Sequence, residues 1–263
     1  MYPVMLGAVV IDSTNNVIRL KEGASATVSA TVLAGTYFLR GDGTSDDLLL
    51  AIKAALDLAG ATYTPTITRS VDSAVRSGIV VVTGSTSFQL MFADALNTFD
   101  ETLLGFAAGV NTTAGLTSTS TLSPAAMWVA PEVNRELEPV IEKQVAVRRA
   151  ANGKVRGVQR SSKMTSYRLA FSFVQEKRML STRNTTDPNA SLEAFMVRFG
   201  ANARFELHDV DVSSGATLVA LTSSTLVSQV HFSEDTLTRF EPMRAAPGTP
   251  LYSWSGVLHQ RVA

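Results

Sequence analysis

Residues 163–175 alternate in character: Tyr167, Leu169, Phe171 and Phe173 fall on one side of an extended chain, Ser166, Arg168, Ala170 and Ser172 on the other. A period of two sustained over that length is the pattern of a β-strand with one face in a core. Large rings at successive inward positions require a deep core to receive them. The same alternation recurs in shorter pieces. Residues 24–33 place Ala26, Val28, Ala30 and Val32 on one side. Further strands are expected at 36–40, 62–69, 78–83, 86–92, 204–208, 218–222, 225–232 and 251–262. Gly84-Ser85 reads as a tight hairpin between two of these, and Ala151-Asn152-Gly153 as the turn joining strands at 144–149 and 154–159.

Helical spacing intrudes twice. Leu48, Ile52, Ala55, Leu56 and Ala59 recur on one helix face. Ahead of them stands Gly41-Asp42-Gly43-Thr44-Ser45, with Ser45 placed to cap the helix, Asp46 and Asp47 in its first turn, and Gly60 as a left-handed stop. A shorter helix from Ala190 or Ser191 to Phe199 turns Leu192, Phe195, Met196 and Phe199 to one side and ends at Gly200. The expected fold class is therefore α+β and strand-dominated: antiparallel sheets with one amphipathic helix in the first half and one short helix in the second. Between the halves, eight of the twelve residues 112–123 are Ser or Thr. Such a stretch has little to bury and reads as an exit loop. Pro124, Trp128 and Pro131 follow it, which predicts an α+β domain over 1–123 and a β-rich domain over 124–263.

Apolar residues make up 45% of the 263-residue chain and charged residues 17%, against roughly 25% charged in ordinary soluble domains. Either many strands are buried, or neighbours in an assembly cover part of the surface. The 23 basic and 23 acidic residues cancel, so no global field draws nucleic acid or anionic membrane. Residues 1–130 carry 6 Lys/Arg against 10 Asp/Glu, and residues 131–263 carry 17 against 13, an asymmetry compatible with head-to-tail contacts. Cysteine is absent, which removes disulfides, thiolate nucleophiles and cysteine-ligated metals. The apolar run 4–11 is too short to span a bilayer and lacks the flanks of a signal peptide. Synthesis in a cytoplasm and no membrane insertion are expected.

Local signatures of chemistry are missing. No Gly-x-Ser-x-Gly, His-Glu-x-x-His or Gly-x-Gly-x-x-Gly sequence occurs. The loop 41–47 lacks both the closing Glu of a calcium loop and the Gly-Lys-Ser/Thr of a phosphate loop, and helix capping accounts for its residues. His208, His231 and His259 lie in three expected strands, none with a second histidine at ligand spacing; in His208-Asp209-Val210-Asp211 strand alternation separates the imidazole from both carboxylates. The expectation is a chain that is not an enzyme, with no catalytic residue, cofactor or metal.

Two binding features remain. Lys143, Arg148, Arg149, Lys154, Arg156, Arg160 and Lys163 form a basic hairpin segment without an acid. It is a candidate interface or anion contact, grippable by phosphates or compensated by Glu132, Glu136, Glu138 and Glu142 or by an adjacent subunit. Because it holds no aromatic residue for base stacking, nucleic acid is not the expected partner. Tyr252 and Trp254 share a strand face and are the candidate glycan contact, with core packing as the alternative.

Gly35-Thr36-Tyr37-Phe38-Leu39, then Asp46-Asp47-Leu48-Leu49 opening a helix, then Gly78-Ile79-Val80-Val81-Val82, Phe88-Gln89-Leu90, Leu103-Leu104-Gly105-Phe106 and the Pro-flanked Trp128 form an order of features that resembles tail-associated structural proteins of tailed bacteriophages. The resemblance covers roughly residues 30–131, and the second half is similar in style to distal tail and baseplate components. It implies a virion structural protein of the tail, tail tip or baseplate, working through its interfaces in a homo-oligomer and with other virion proteins. A host-surface or carbohydrate-binding β module is the alternative.

Overall fold

The computed structural model describes residues 2–70, 77–130, 135–142, 145–149, 155–159, 164–200, 203–210, 217–218, 221–233, 240–243 and 250–260. Among these described residues it is strand-dominated, 46% strand and 18% helix, with antiparallel sheets and three helices. The strand that organises it is β1 (Tyr2–Gly7), in a segment whose sequence shows no alternation: Val4, Met5 and Leu6 are all fully buried. Successive strand residues point to opposite faces. Here each face meets a different core, Val4 and Leu6 joining one hydrophobic cluster and Met5 the other.

The first layer is built mainly from residues before Pro124. β2 (Val9–Ile11) pairs with β5 (Gly35–Tyr37) as a small ribbon, while β3 (Val17–Glu22) pairs with β4 (Val28–Thr31). β4 is shorter than the expected 24–33: Ala30 and Val32 are buried, but Val28 is exposed at this sheet edge. Helix α1 (Leu48–Ala59) buries Leu48, Leu49, Ile52, Ala55 and Leu56. Its cap is Asp47, not Ser45. The Asp47 carboxylate accepts from Leu49 N at 3.1 Å and also from Gly41 N and Gly43 N at 3.1 and 3.0 Å, so one acid both caps the helix and closes the preceding loop. Gly60 ends the helix in an extended conformation, φ −166°, and not in the left-handed one expected.

β6 (Tyr63–Ser70) is followed by β7 (Ile79–Leu90), twelve residues without a turn. The hairpin expected at Gly84-Ser85 is absent because that point is a hand-over of partners: β6 pairs with β7 as far as Tyr63↔Gly84, and β3 takes over at Glu22↔Phe88. The Phe88 ring also crosses Gly84, where an added Cβ would lie 2.8 Å from Phe88 Cδ1. The Ser/Thr-rich stretch contains β8 (Gly115–Thr119) on the free side of β7. A strand held by backbone ladders needs no apolar side chains, and here hydroxyls extend the ladder. Ser120 Oγ accepts from Val80 N at 2.9 Å, Ser123 Oγ from Ser77 N at 2.6 Å, and Thr112 Oγ1 from Leu90 N at 2.9 Å.

The second layer contains β9 (Met127–Val129), β10 (Arg135–Glu142), β13 (Met164–Gln175), β14 (Phe205–Val210), β16 (Leu226–Phe232), β17 (Phe240–Met243) and β18 (Leu251–Gln260). With β1 they form one sheet in the order β10-β13-β18-β16-β14-β1-β9, β17 pairing on β18. β11 (Val145–Arg149) and β12 (Val155–Gln159) form a separate ribbon, and β15 (Thr217–Leu218) crosses to the first layer to pair with β6. Sheet membership thus crosses residue 123 in both directions. The long strand β13 has a register shift between Phe171 and Val174, and Val174 is fully buried in the core beyond Phe171. α2 (Glu176–Met179) and α3 (Leu192–Phe199) lie against this core. α3 buries the four expected residues and is capped by Ser191, whose Oγ accepts from Ala194 N at 3.2 Å. Phe195, Phe205 and Phe232 contact one another, with Phe205 and Phe232 4.6 Å apart. Among the described residues no helix is long and apolar enough to cross a membrane.

Candidate functional site

β14 alternates between the cores. Phe205 and Leu207 enter the aromatic cluster, so Glu206 and His208 face the other way, under the first layer, with 0% and 1% exposure. A carboxylate taken fully out of water must be paired and hydrogen-bonded. The partner is Arg40, which follows β5 and leads into the loop capped by Asp47. Its Nε donates to Glu206 Oε2 at 2.8 Å and its Nη2 to Oε1 at 2.6 Å, a two-pronged pair. Arg40 Nη1 donates to Asp46 Oδ1 at 2.6 Å. Gln229 Nε2 donates to Glu206 Oε1 at 3.2 Å, and His208 Nε2 lies 3.1 Å from Oε2. On the far side of Arg40, the buried Arg69 donates to the backbone oxygens of Leu39 and Arg40.

Burial alone would raise the Glu206 pKa. The hydrogen bonds from His208 and Arg40, the Arg40 charge and Gln229 outweigh it and hold the carboxyl at about 2. Arg40 is shifted upward by its bonds to Glu206, against burial and with help from Asp46. Burial pulls Arg69 down to about 10, opposed by Asp47 and Asp42. A cavity of about 220 Å³ opens beside the cluster, lined by Arg40, Asp42, Thr44, His208, Thr222, Ser223 and Leu226.

Thr225 Oγ1, His208 and Glu206 stand in a row, with Thr225 Oγ1 3.0 Å from His208 Nδ1. That is the connectivity of a nucleophile, a base and an orienting acid. Two features turn it toward holding. The carboxylate is already neutralised by the Arg40 fork, and the Thr225 hydroxyl is within donating distance, 2.9 Å, of Thr222 O. The cluster acts as a clamp between layers. A second tie joins the layers where buried Arg178 donates to Ser77 Oγ at 3.4 Å and Asp187 Oδ2 accepts from Ser123 N at 2.7 Å.

The residues singled out from sequence are dispersed. Arg148, Arg149 and Arg156 are in the β11–β12 ribbon, Arg148 opposite Arg156 and Arg149 opposite Val155 in register. Lys143, Lys154, Arg160 and Lys163 lie outside the described residues. Trp254 is 1% exposed and stacks on Phe171 with centroids 5.8 Å apart, so its ring face is turned into the core. Tyr252 donates to Glu176 Oε1 at 3.0 Å, which raises its pKa. His208 is in the clamp, whereas His231 and His259 stand opposite each other across β16 and β18. Arg40 and Glu206 carry no joint signal in the sequence because they are 166 residues apart. The one local signal was Glu206 at two residues from His208, the same-face spacing of a strand. No family model matches the chain, and no curated protein matches it in sequence.

Proposed function

We propose that this chain is a non-enzymatic structural subunit that works by assembling with copies of itself and with other proteins, and that its setting is the tail, tail tip or baseplate of a tailed phage. The observation that carries the assembly reading is on α1. Leu50, Ala54 and Leu58 follow one another at four-residue spacing on the face opposite the core, and Leu58 is 91% exposed. Residues at that spacing form one continuous stripe. Leu33, Val10, Leu96, Val110, Leu116 and Val197 are also more than half exposed. A contiguous aliphatic stripe such as that on α1 is what a partner would cover.

The sheet edges point the same way. β4 and β10 end their sheet orders, so each has one edge to which no other described strand pairs. A neighbouring strand can complete such an edge. The phage setting rests on the sequence resemblance over residues 30–131. The glycan-binding alternative loses support from the burial of Trp254. Negative-stain electron microscopy of the concentrated protein tests the proposal. Rings, tubes or stacked discs are expected, and uniform single particles at every concentration, alone and mixed with the other structural proteins encoded beside it, would overturn it.

A further inference from the structure

β16 and β18 run antiparallel with His231 directly opposite His259. The two imidazoles lie with ring centroids 5.6 Å apart and planes inclined by 43°. One strand further on, Ser166 of β13 stands opposite His259, its Oγ 3.1 Å from His259 Nδ1. Three polar residues thus form a row across three adjacent strands. Their neighbours in sequence, Phe232 and Leu258, enter the aromatic core, so the row occupies the other face of the sheet. Both histidines are half-buried there.

The spacing is that of a chelating pair. Imidazole nitrogens bind zinc at roughly 2.0–2.1 Å, which puts each ring centroid about 3.2 Å from the ion and two such rings about 5.2–5.6 Å apart for angles at the ion between tetrahedral and trigonal. Ser166 supplies the other half of the design. When His259 Nδ1–H donates to Ser166 Oγ, the Nε2 lone pair is left as the ligand atom, the outer-sphere arrangement that orients metal-binding imidazoles. Among the described residues no group of three His, Cys, Asp or Glu is arranged to hold a metal ion. We propose that His231 and His259 form a two-imidazole site for a late first-row divalent ion of the zinc and nickel type, the class that imidazole donors favour. The proposal is independent of the assembly reading.

Isothermal titration of the full chain with zinc chloride tests it. One equivalent should bind at about pH 7.5 and binding should be lost at about pH 5.5, where imidazoles hold protons instead of metal. His231→Ala and His259→Ala should each weaken binding at least tenfold, and Ser166→Ala by about 10-fold while leaving the stoichiometry intact. Circular dichroism shows whether each variant is folded. Should one fail to fold, nickel added to the wild-type chain gives the answer by NMR, since it should broaden the ring protons of His231 and His259 first. Absence of zinc binding by the wild type at about pH 7.5, undiminished binding by the folded double variant, or nickel broadening centred elsewhere would each overturn the site.

Discussion

Replacing Arg40 with methionine keeps most of the side-chain volume and removes the charge that holds Glu206. In the native chain Glu206 is fully buried with its pKa at about 2. The ordinary glutamate value is about 4.3 and each unit is worth about 1.4 kcal/mol, so its partners stabilise the charged form by roughly 3 kcal/mol at neutral pH. Removing one member of a buried pair strands the other, which costs about 3–5 kcal/mol. Arg40→Met should therefore lose about 3–4 kcal/mol of unfolding free energy at about pH 7, read by urea denaturation. The pH dependence separates this mechanism from simple packing loss. With a depressed folded pKa, the native contribution is present above about pH 4.3 and disappears as pH falls towards 2. In Arg40→Met, burial is opposed by His208 and Gln229 alone, and the folded pKa of Glu206 moves upward from about 2. The variant's carboxyl then takes up its proton at a higher pH than the native one, so the deficit should narrow as pH falls from about 7 towards about 3. Adding Glu206→Gln should recover part of the loss at about pH 7, because no buried charge is then left unpaired. A loss below about 1 kcal/mol, or a deficit as large at about pH 3 as at about pH 7, would refute the clamp.

Trp254→Ala should cost about 3–5 kcal/mol by urea denaturation, the range for emptying a large aromatic site, whereas a surface platform would lose little. Gly105 sits at φ +82° with its Cβ position 2.2 Å from Leu122 O, so Gly105→Ala should lower stability by at least about 2 kcal/mol; an unchanged melting temperature would show that the 101–105 turn relaxes. Residues 124–263 expressed alone lack β1, the strand between β14 and β9, and should show no cooperative thermal transition by near-ultraviolet circular dichroism. A sharp transition matching the full chain would show that β1 is dispensable to the second layer.

The parts of the fold legible in the sequence are those with one buried face. β13 and α3 each turn one apolar face to the core and a more polar face away from it, and periodicity locates both within a residue or two. β1 carries no such signal, because both its faces are buried and its apolar run has no period to read. At Gly84-Ser85 local turn chemistry was overridden by tertiary pairing, since β6 and β3 together hold β7 straight. The 112–123 stretch misled in the opposite direction: its hydroxyls satisfy backbone groups inside the structure as well as water would outside it. The clamp could not be read from spacing, because Arg40 and Glu206 are 166 residues apart. The exposed stripe on α1 could have been, since Leu50 and Leu58 are the leucines left over once the core face is assigned.

The assembly claim is tested most directly by the mass of the chain in solution, measured by light scattering across a wide concentration range for the wild type and for Leu58→Glu. Leu58 is almost wholly exposed, so the substitution should leave the folded subunit within about 0.5 kcal/mol of native stability. The wild type should exceed the 28.1 kDa of one chain and grow heavier with concentration, while Leu58→Glu stays near that mass. A wild type that remains at one chain's mass throughout, or a Leu58→Glu variant that assembles as well as the wild type, would contradict the account.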